Sequence, residues 1–149
     1  MSDSNSPATA LAGTSAYRHR FRVRYAELDP QNVVFNSRYL EYADLLVTEY
    51  WRSIDLPLEL EFHIARAEID FRRPIRALEW IEGRVRTLNI GNSSMAMIVS
   101  LYGAEADGDV DDLRAEITLV HVHVDLATGE SQRIPDTVRT LLIPEGVTQ

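Results

Sequence analysis

The chain has 149 residues, of which 45% are hydrophobic and 26% are charged, and its net charge is −8. This length predicts a single domain, and the apolar content excludes a chain that is disordered throughout. The absence of cysteine excludes disulfide and thiolate chemistry, and the acidic balance argues against nucleic acid as a partner.

Residues 1–16 are small and polar, and they predict a disordered tail in front of one domain over residues 17–149. The tail lacks the basic segment and apolar block of a signal peptide. The sequence also has no run of about 18 apolar residues, so neither a transmembrane helix nor a membrane partner is expected. We therefore expect a cytoplasmic protein.

Residues 17–28, YRHRFRVRYAEL, alternate between aromatic or apolar side chains and arginines. This period of two predicts a half-buried strand with Tyr25 on its apolar face and arginines on its outer face. Such arginines also suit a phosphate site, although a solvated face is the simpler interpretation. Asp29-Pro30 ends the strand, because proline has no N–H and aspartate favours turns.

The clearest helix follows this turn. Apolar residues recur at spacings of three and four from Tyr39 to Ile54, which predicts an amphipathic helix of about 16 residues. Asn36 or Ser37 is the expected N-cap, and Pro57 lies just beyond the end of the helix.

The rest of the chain is mostly β-branched and apolar. It predicts four strands and a short terminal helix, over residues 63–75, 79–91, 94–104, 112–125 and 135–142. Gly91-Asn92 and the acidic residues 105–112 are expected to form hairpin loops. One helix followed by consecutive strands indicates an α+β fold, with a curved, antiparallel, five-stranded sheet wrapped around one long central helix.

Two features of the loop before the helix are capable of acyl-transfer chemistry. Asp29 is either a turn former or a carboxylate that acts as a general base or a nucleophile. Seven residues later, at Asn36, the helix begins, and its first N–H groups have no helical acceptor and carry partial positive charge. Such groups stabilise an oxyanion, although an ordinary capped helix would look the same.

The sequence gives little support for a metal site. His121 and His123 share a strand face, but no carboxylate or cysteine cluster completes a metal site. The acidic residues 107–112 lack the glycine and the glutamate of a calcium loop. We expect no metal.

Residues 22–44, RVRYAELDPQNVVFNSRYLEYAD, resemble the first strand, loop and central helix of hot-dog-fold acyl-CoA thioesterases, in particular the 4-hydroxybenzoyl-CoA thioesterase branch. IDFRRPI, residues 69–75, is similar to that family's second strand, and NIGNSSM, residues 89–95, to its glycine-then-serine turn. The resemblance covers residues 17–142. It implies hydrolysis of a thioester to a free acid and coenzyme A, with no cofactor because coenzyme A is part of the substrate.

By position, Asp29 matches the family's catalytic aspartate, and Asn36 matches the residue whose backbone N–H polarises the thioester carbonyl. The resemblance also assigns residues to substrate binding, with the arginines on the phosphates of coenzyme A: Val34, Phe35, Tyr39, Arg72, Arg73, Ser93 and Ser94. It implies a homodimer or a homotetramer with active sites between subunits.

Two departures from the family bear on the site. Gln31-Asn32 replaces a glycine in the loop, and asparagine tolerates the left-handed conformation. Asn36 replaces an aromatic residue or a histidine, which affects substrate choice rather than the backbone N–H. Two alternatives stay open: a non-catalytic acyl-CoA sensor, which Asp29 disfavours, and an acyl carrier protein as the donor, which the net charge of −8 disfavours. The acyl group is open.

Overall fold

The structure is a computed structural model that describes residues 17–57, 59–104 and 111–142. Its elements, apart from a short 3₁₀ turn at Tyr25–Glu27, are β1 (Tyr17–Arg22), α1 (Arg38–Ser53), β2 (Phe62–Phe71), β3 (Trp80–Ile90), β4 (Ser94–Gly103), β5 (Asp112–His123) and α2 (Asp136–Leu142). The predicted tail and most of the predicted acidic loop lie outside the described residues.

The five strands form one antiparallel sheet in the order β1-β3-β4-β5-β2. The α+β architecture predicted from the sequence is confirmed. Strands β3 and β4 pair on either side of the predicted Gly91-Asn92 loop, and β4 pairs with β5. In contrast, β2 pairs with β5 and not with β3, which follows it in the chain. As a result β1 and β2 are the two edge strands, at opposite sides of the sheet.

Helix α1 packs across the inner face of the sheet, and its side of the core is formed by Tyr39, Tyr42, Ala43, Leu46, Val47 and Tyr50. Leu46 is completely buried and lies over Gly83 of β3, where an added Cβ would be only 2.9 Å from Leu46 Cγ. The missing side chain at Gly83 therefore lets the helix approach the sheet. Among the described residues, no helix is long and apolar enough to cross a membrane.

The predicted limits of α1 hold at both ends. Ser37 occupies the N-cap position, but its side chain makes no capping hydrogen bond. At the other end Asp55 adopts φ 57°, and the N–H of Leu56 donates to Trp51 O at 3.0 Å. A left-handed residue followed by this bond is a common way to end a helix, and Pro57 cannot continue it.

The prediction for Tyr25 was wrong. The chain leaves the sheet after Arg22 and turns, with the N–H of Leu28 donating to Tyr25 O at 3.1 Å. Tyr25 is 69% exposed, whereas Glu27 is 5% exposed. The turn occurs because the Glu27 carboxylate accepts the N–H of Arg24 at 2.9 Å, which closes a local turn where the sequence predicted that the strand would continue to residue 28.

The predicted second strand also ends early, at Phe71. The N–H groups of Arg72 and Arg73 both donate to Arg114 O, at 2.8 and 3.2 Å, so the regular ladder stops there. Pro74 has no N–H with which to resume it.

The arginine face of β1 contacts a buried carboxylate. Arg18 and Arg20 lie 3.6 and 3.2 Å from the carboxylate oxygens of Glu82 on β3, and Glu82 is 4% exposed. Arg84 makes a third contact with it at 2.9 Å. These arginines therefore form ion pairs within the sheet, and these pairs account for the arginine-rich face without a bound phosphate.

Candidate active site

The loop between β1 and α1 folds back on itself. The N–H of Asp29 donates to Val33 O at 2.8 Å, and that of Phe35 donates to Glu27 O at 3.0 Å. Asn32, at the tip, has φ 65°, the left-handed conformation that the sequence predicts there. These bonds fix Asp29 relative to the residues that lead into the helix.

One oxygen of Asp29 serves the turn. Its Oδ1 accepts the N–H of Gln31 at 2.8 Å and that of Val33 at 3.4 Å. No described residue donates a hydrogen bond to Oδ2. The two interpretations of Asp29 are therefore compatible, because a carboxylate that forms the turn through one oxygen can act as a base or nucleophile through the other.

The start of α1 offers unpaired donors. The N–H of Arg38 donates to Phe35 O at 2.9 Å, and that of Tyr39 donates to Asn36 O at 3.3 Å. Within the described part of the chain, no acceptor receives the N–H of Asn36 or of Ser37. Both groups carry the partial positive charge of a helix N-terminus, so they suit a polarised carbonyl oxygen.

A cavity of about 240 Å³ lies beside this helix start, lined by Val33, Val34, Asn36, Tyr39, Phe71, Arg72, Arg73 and Pro74. Tyr39 and Phe71 meet edge to face, with ring centroids 4.9 Å apart. The cavity therefore combines an aromatic and aliphatic wall with two arginines.

The structure brings five of the predicted site residues to this cavity: Val34, Asn36, Tyr39, Arg72 and Arg73. Phe35 does not line it and is 51% exposed. Asp29 does not line it either, but its backbone pairs with Val33, which does.

Arg73 also borders a second cleft, of about 560 Å³. Its guanidinium contacts Asp112 at 3.0 Å, and Arg114 in the same cleft binds Glu79 at 2.7 Å. Burial would raise the pKa of Glu79, but the hydrogen bonds from Arg114 and from the Arg76 N–H, together with the charge of Arg114, outweigh burial, and the pKa is lowered. This end of the sheet therefore presents several fixed cations with compensating carboxylates.

Ser93 and Ser94 lie elsewhere. Ser94 pairs with Val122 on β5, whereas the N–H groups of Arg72 and Arg73 reach Arg114. These β5 positions are eight residues apart, or roughly 26 Å along a strand. Within one chain, the two serines are therefore at the opposite end of the sheet from the cavity.

The histidine pair is part of the core. His123 Nδ1 lies 3.1 Å from Arg133 O, and His121 is 4% exposed beside Trp51, with ring centroids 5.0 Å apart. Among residues 17–57, 59–104 and 111–142, no group of three His, Asp or Glu side chains is placed to hold a metal ion.

His121 makes stability depend on pH. Burial lowers the pKa of His121 to about 4 from 6.5, and its Nδ1 has no partner among the described residues. Because the folded pKa is depressed, the stabilising contribution is complete above pH 6.5 and is lost as pH falls toward 4, by about 3 kcal/mol in total.

In His121→Leu we expect the free energy of unfolding, measured by urea denaturation, to fall less between pH 6.5 and 4 than it does in the wild-type protein. His63→Gln is the matched control, because the His63 side chain is 56% exposed, and this variant should keep the wild-type slope. Identical slopes for His121→Leu and wild type would contradict the prediction.

Glu27 was missed by the sequence analysis. Its carboxylate accepts hydrogen bonds from Arg24 and from the Tyr42 hydroxyl, the latter at 2.9 Å. A signal for it existed, because the alternation that placed Tyr25 on the apolar face also places Glu27 there. A charged residue in an apolar register indicates a partner in the core.

Comparison with known proteins identifies the family. Residues 23–142 match the model of the thioesterase-like superfamily. No curated protein sequence matches the chain.

Solved structures agree with this match. A thioesterase from Thermus thermophilus complexed with coenzyme A and Zn is 30% identical, with a TM-score of 0.73 over 84% of this chain and 90% of that chain. A 1,4-dihydroxy-2-naphthoyl-CoA thioesterase from Synechocystis is 17% identical, with a TM-score of 0.76 over 86% and 96%.

A 4-hydroxybenzoyl CoA thioesterase mutant complexed with 4-hydroxybenzoyl CoA is 13% identical, with a TM-score of 0.75 over 87% of this chain and 100% of that chain. The likenesses below 25% identity concern the fold alone, and they confirm the predicted hot-dog architecture. The family match and the 30% identical thioesterase show that the chain belongs to the thioesterase-like superfamily and is a thioester hydrolase.

Proposed function

We propose that the protein hydrolyses acyl-CoA thioesters to a free acid and coenzyme A. One observation carries the proposal: a single loop presents the unbonded Oδ2 of Asp29 and the unpaired N–H groups of Asn36 and Ser37. Acyl transfer needs a base or nucleophile together with donors for the developing oxyanion. The 30% identical relative complexed with coenzyme A supports this choice of donor.

In the proposed reaction, the thioester oxygen accepts the N–H of Asn36 at the start of α1. Asp29 takes a proton from water, whose oxygen attacks the carbonyl carbon. The C–S bond then breaks, and its electron pair leaves with sulfur as a thiolate. Alternatively, the Asp29 carboxylate attacks directly and water hydrolyses the resulting anhydride. Both routes use the same two groups.

The cavity accounts for substrate binding in this proposal. Val34 and Tyr39 contact the acyl group, and Phe35 lies at the rim of the site. Arg72 and Arg73 bind the phosphates of coenzyme A, since the arginine fork matches phosphate oxygens. Coenzyme A arrives with the substrate, so the proposed reaction requires no separate cofactor and no metal.

The proposed active unit is a homodimer, or a tetramer made of two, joined along β2. This edge strand exposes Ile64 and Phe71, at 49% and 51%, and its unpaired backbone is a template for another strand. Antiparallel pairing of two copies about Ala67 places Arg66 of each copy opposite Glu68 of the other, which matches their charges.

This pairing also brings distant site residues together. The Phe62 end of β2 adjoins His123, whose N–H donates to Ser93 O at 2.8 Å, and the other end of β2 adjoins the cavity. Antiparallel pairing places the Phe62 end of β2 in one copy beside the Phe71 end of β2 in its partner. Ser93 and Ser94 therefore reach the substrate from the second copy.

We expect the wild-type protein to sediment as a dimer or tetramer, and Arg66→Glu to weaken association by about tenfold through like charges. The control is Arg66→Glu with Glu68→Arg, which restores the complementarity and should restore the wild-type assembly. Both side chains are more than 60% exposed, so the fold of one chain is preserved. A fully active wild-type monomer would contradict the shared site.

Thiol release from a panel of aromatic, short-chain, branched and long-chain acyl-CoAs tests the proposal. Turnover that ranks the acyl groups supports it. Binding of acyl-CoA without turnover across the panel would instead indicate a sensor. Turnover confined to an acyl carrier protein loaded with the same groups would keep the chemistry and change the donor.

A further inference from the structure

The buried carboxylate of Glu27 connects three parts of the fold. Its Oε1 accepts the N–H of Arg24 and the hydroxyl of Tyr42, each at 2.9 Å, and its Oε2 accepts the Arg24 guanidinium at 2.9 Å. Arg24 follows β1, and Tyr42 lies one turn into α1. One side chain thus fixes the end of the strand to the helix.

The backbone of Glu27 fixes the other end of the loop. Its carbonyl accepts the N–H of Phe35 at 3.0 Å, and Phe35 directly precedes Asn36. Glu27 itself lies two residues before Asp29. In addition, the Arg38 guanidinium donates to the neighbouring carbonyl, Ala26 O, at 3.3 Å. Both groups of the proposed reaction are therefore held through this short segment.

The carboxylate is charged in this position. Burial would raise the pKa of Glu27, but the hydrogen bonds from Arg24 and Tyr42 outweigh it and the pKa is lowered. Burial and the bond to Glu27 also raise the pKa of Tyr42, so its hydroxyl stays a donor. Charge-assisted bonds of this kind are stronger and more directional than neutral ones.

We infer that Glu27 is a positioning residue, which holds Asp29 and the N–H of Asn36 at the separation that thioester hydrolysis requires. The inference rests on the proposed function. Glu27 is buried against Tyr42 and does not line the cavity, so it acts through the loop rather than on the substrate. Small displacements of reacting groups are costly, up to about a hundredfold in rate.

The test compares steady-state hydrolysis by Glu27→Ala and Glu27→Gln. We expect Glu27→Ala to lower kcat by about tenfold to a hundredfold, with KM changed less than about threefold, because substrate contacts are retained. Glu27→Gln should recover much of kcat, since its amide oxygen can accept the bonds from the Arg24 N–H and from Tyr42. Equal kcat in Glu27→Ala and wild type would overturn the inference.

A matched control separates positioning from general stability. Glu82 is also a buried carboxylate, at 4% exposure, with three arginine partners, but it lies on the outer face of the sheet. Glu82→Ala should lower the melting temperature and keep kcat per folded molecule. If kcat falls as much in Glu82→Ala as in Glu27→Ala, the positioning role is overturned.

Two further variants test the positioning role of Glu27. If Glu27→Ala does not fold, Tyr42→Phe removes only the hydroxyl bond to helix α1 and should lower kcat about threefold to tenfold; an unchanged kcat overturns the inference. Asp29→Asn separates this claim from the proposed function. Loss of activity in Asp29→Asn without loss in Glu27→Ala overturns positioning alone, whereas full activity in Asp29→Asn overturns the proposed chemistry.

Discussion

Replacing Asp29 by asparagine should lower kcat for acyl-CoA hydrolysis by about 10²–10⁴. Asparagine has no negative charge, so it neither takes a proton from water nor attacks the thioester. Its side-chain oxygen still accepts the N–H groups of Gln31 and Val33, which Oδ1 of Asp29 accepts at 2.8 and 3.4 Å. The turn is therefore retained, and the effect is chemical rather than structural.

The measurement is thiol release at saturating substrate, with the melting temperature recorded for the same samples. Asp125 supplies a matched control, because its Oδ1 accepts the N–H of Ala127 at 2.9 Å in the same type of turn. Asp125→Asn should keep both stability and turnover. Near-normal turnover by Asp29→Asn would contradict both the base and the nucleophile roles.

Much of the fold could be predicted because it depends on local patterns. The spacing of apolar residues predicted α1, and its observed limits, Arg38–Ser53, match the expected 16 residues. Gly91-Asn92 predicted the β3–β4 hairpin. The position of β2 beside β5 could not be predicted in this way, because a strand's period determines which face is buried but not which neighbour it pairs with.

In the candidate site, too, the local part could be predicted from the sequence and the part that depends on strand pairing could not. Asp29 and the helix start lie in one loop, so their proximity followed from the sequence. The approach of Arg72 and Arg73 to Asn36 depends on where β2 ends, and this is fixed by hydrogen bonds to Arg114, 42 residues after Arg72. Glu27 was missed because it closes a short turn, Tyr25–Glu27, within the residues that were predicted to continue the first strand.

The contact between Leu46 and Gly83 predicts a strong non-additive effect on stability. Leu46→Ala should cost about 2–5 kcal/mol, because Leu46 is fully buried and its removal leaves a cavity. Gly83→Ala should cost about 1–3 kcal/mol, because the new Cβ would lie 2.9 Å from Leu46 Cγ. In the double variant the added methyl occupies part of the cavity.

We therefore expect Leu46→Ala with Gly83→Ala to be more stable than the sum of the single changes by at least about 1 kcal/mol, measured by urea denaturation. Gly91→Ala is the control partner, since its added Cβ would come no closer than 3.5 Å to its neighbours, and it should combine additively with Leu46→Ala. Additivity in both pairs would mean that the helix shifts away from β3 to accept a methyl group, and that Gly83 does not set the distance at which α1 packs on the sheet.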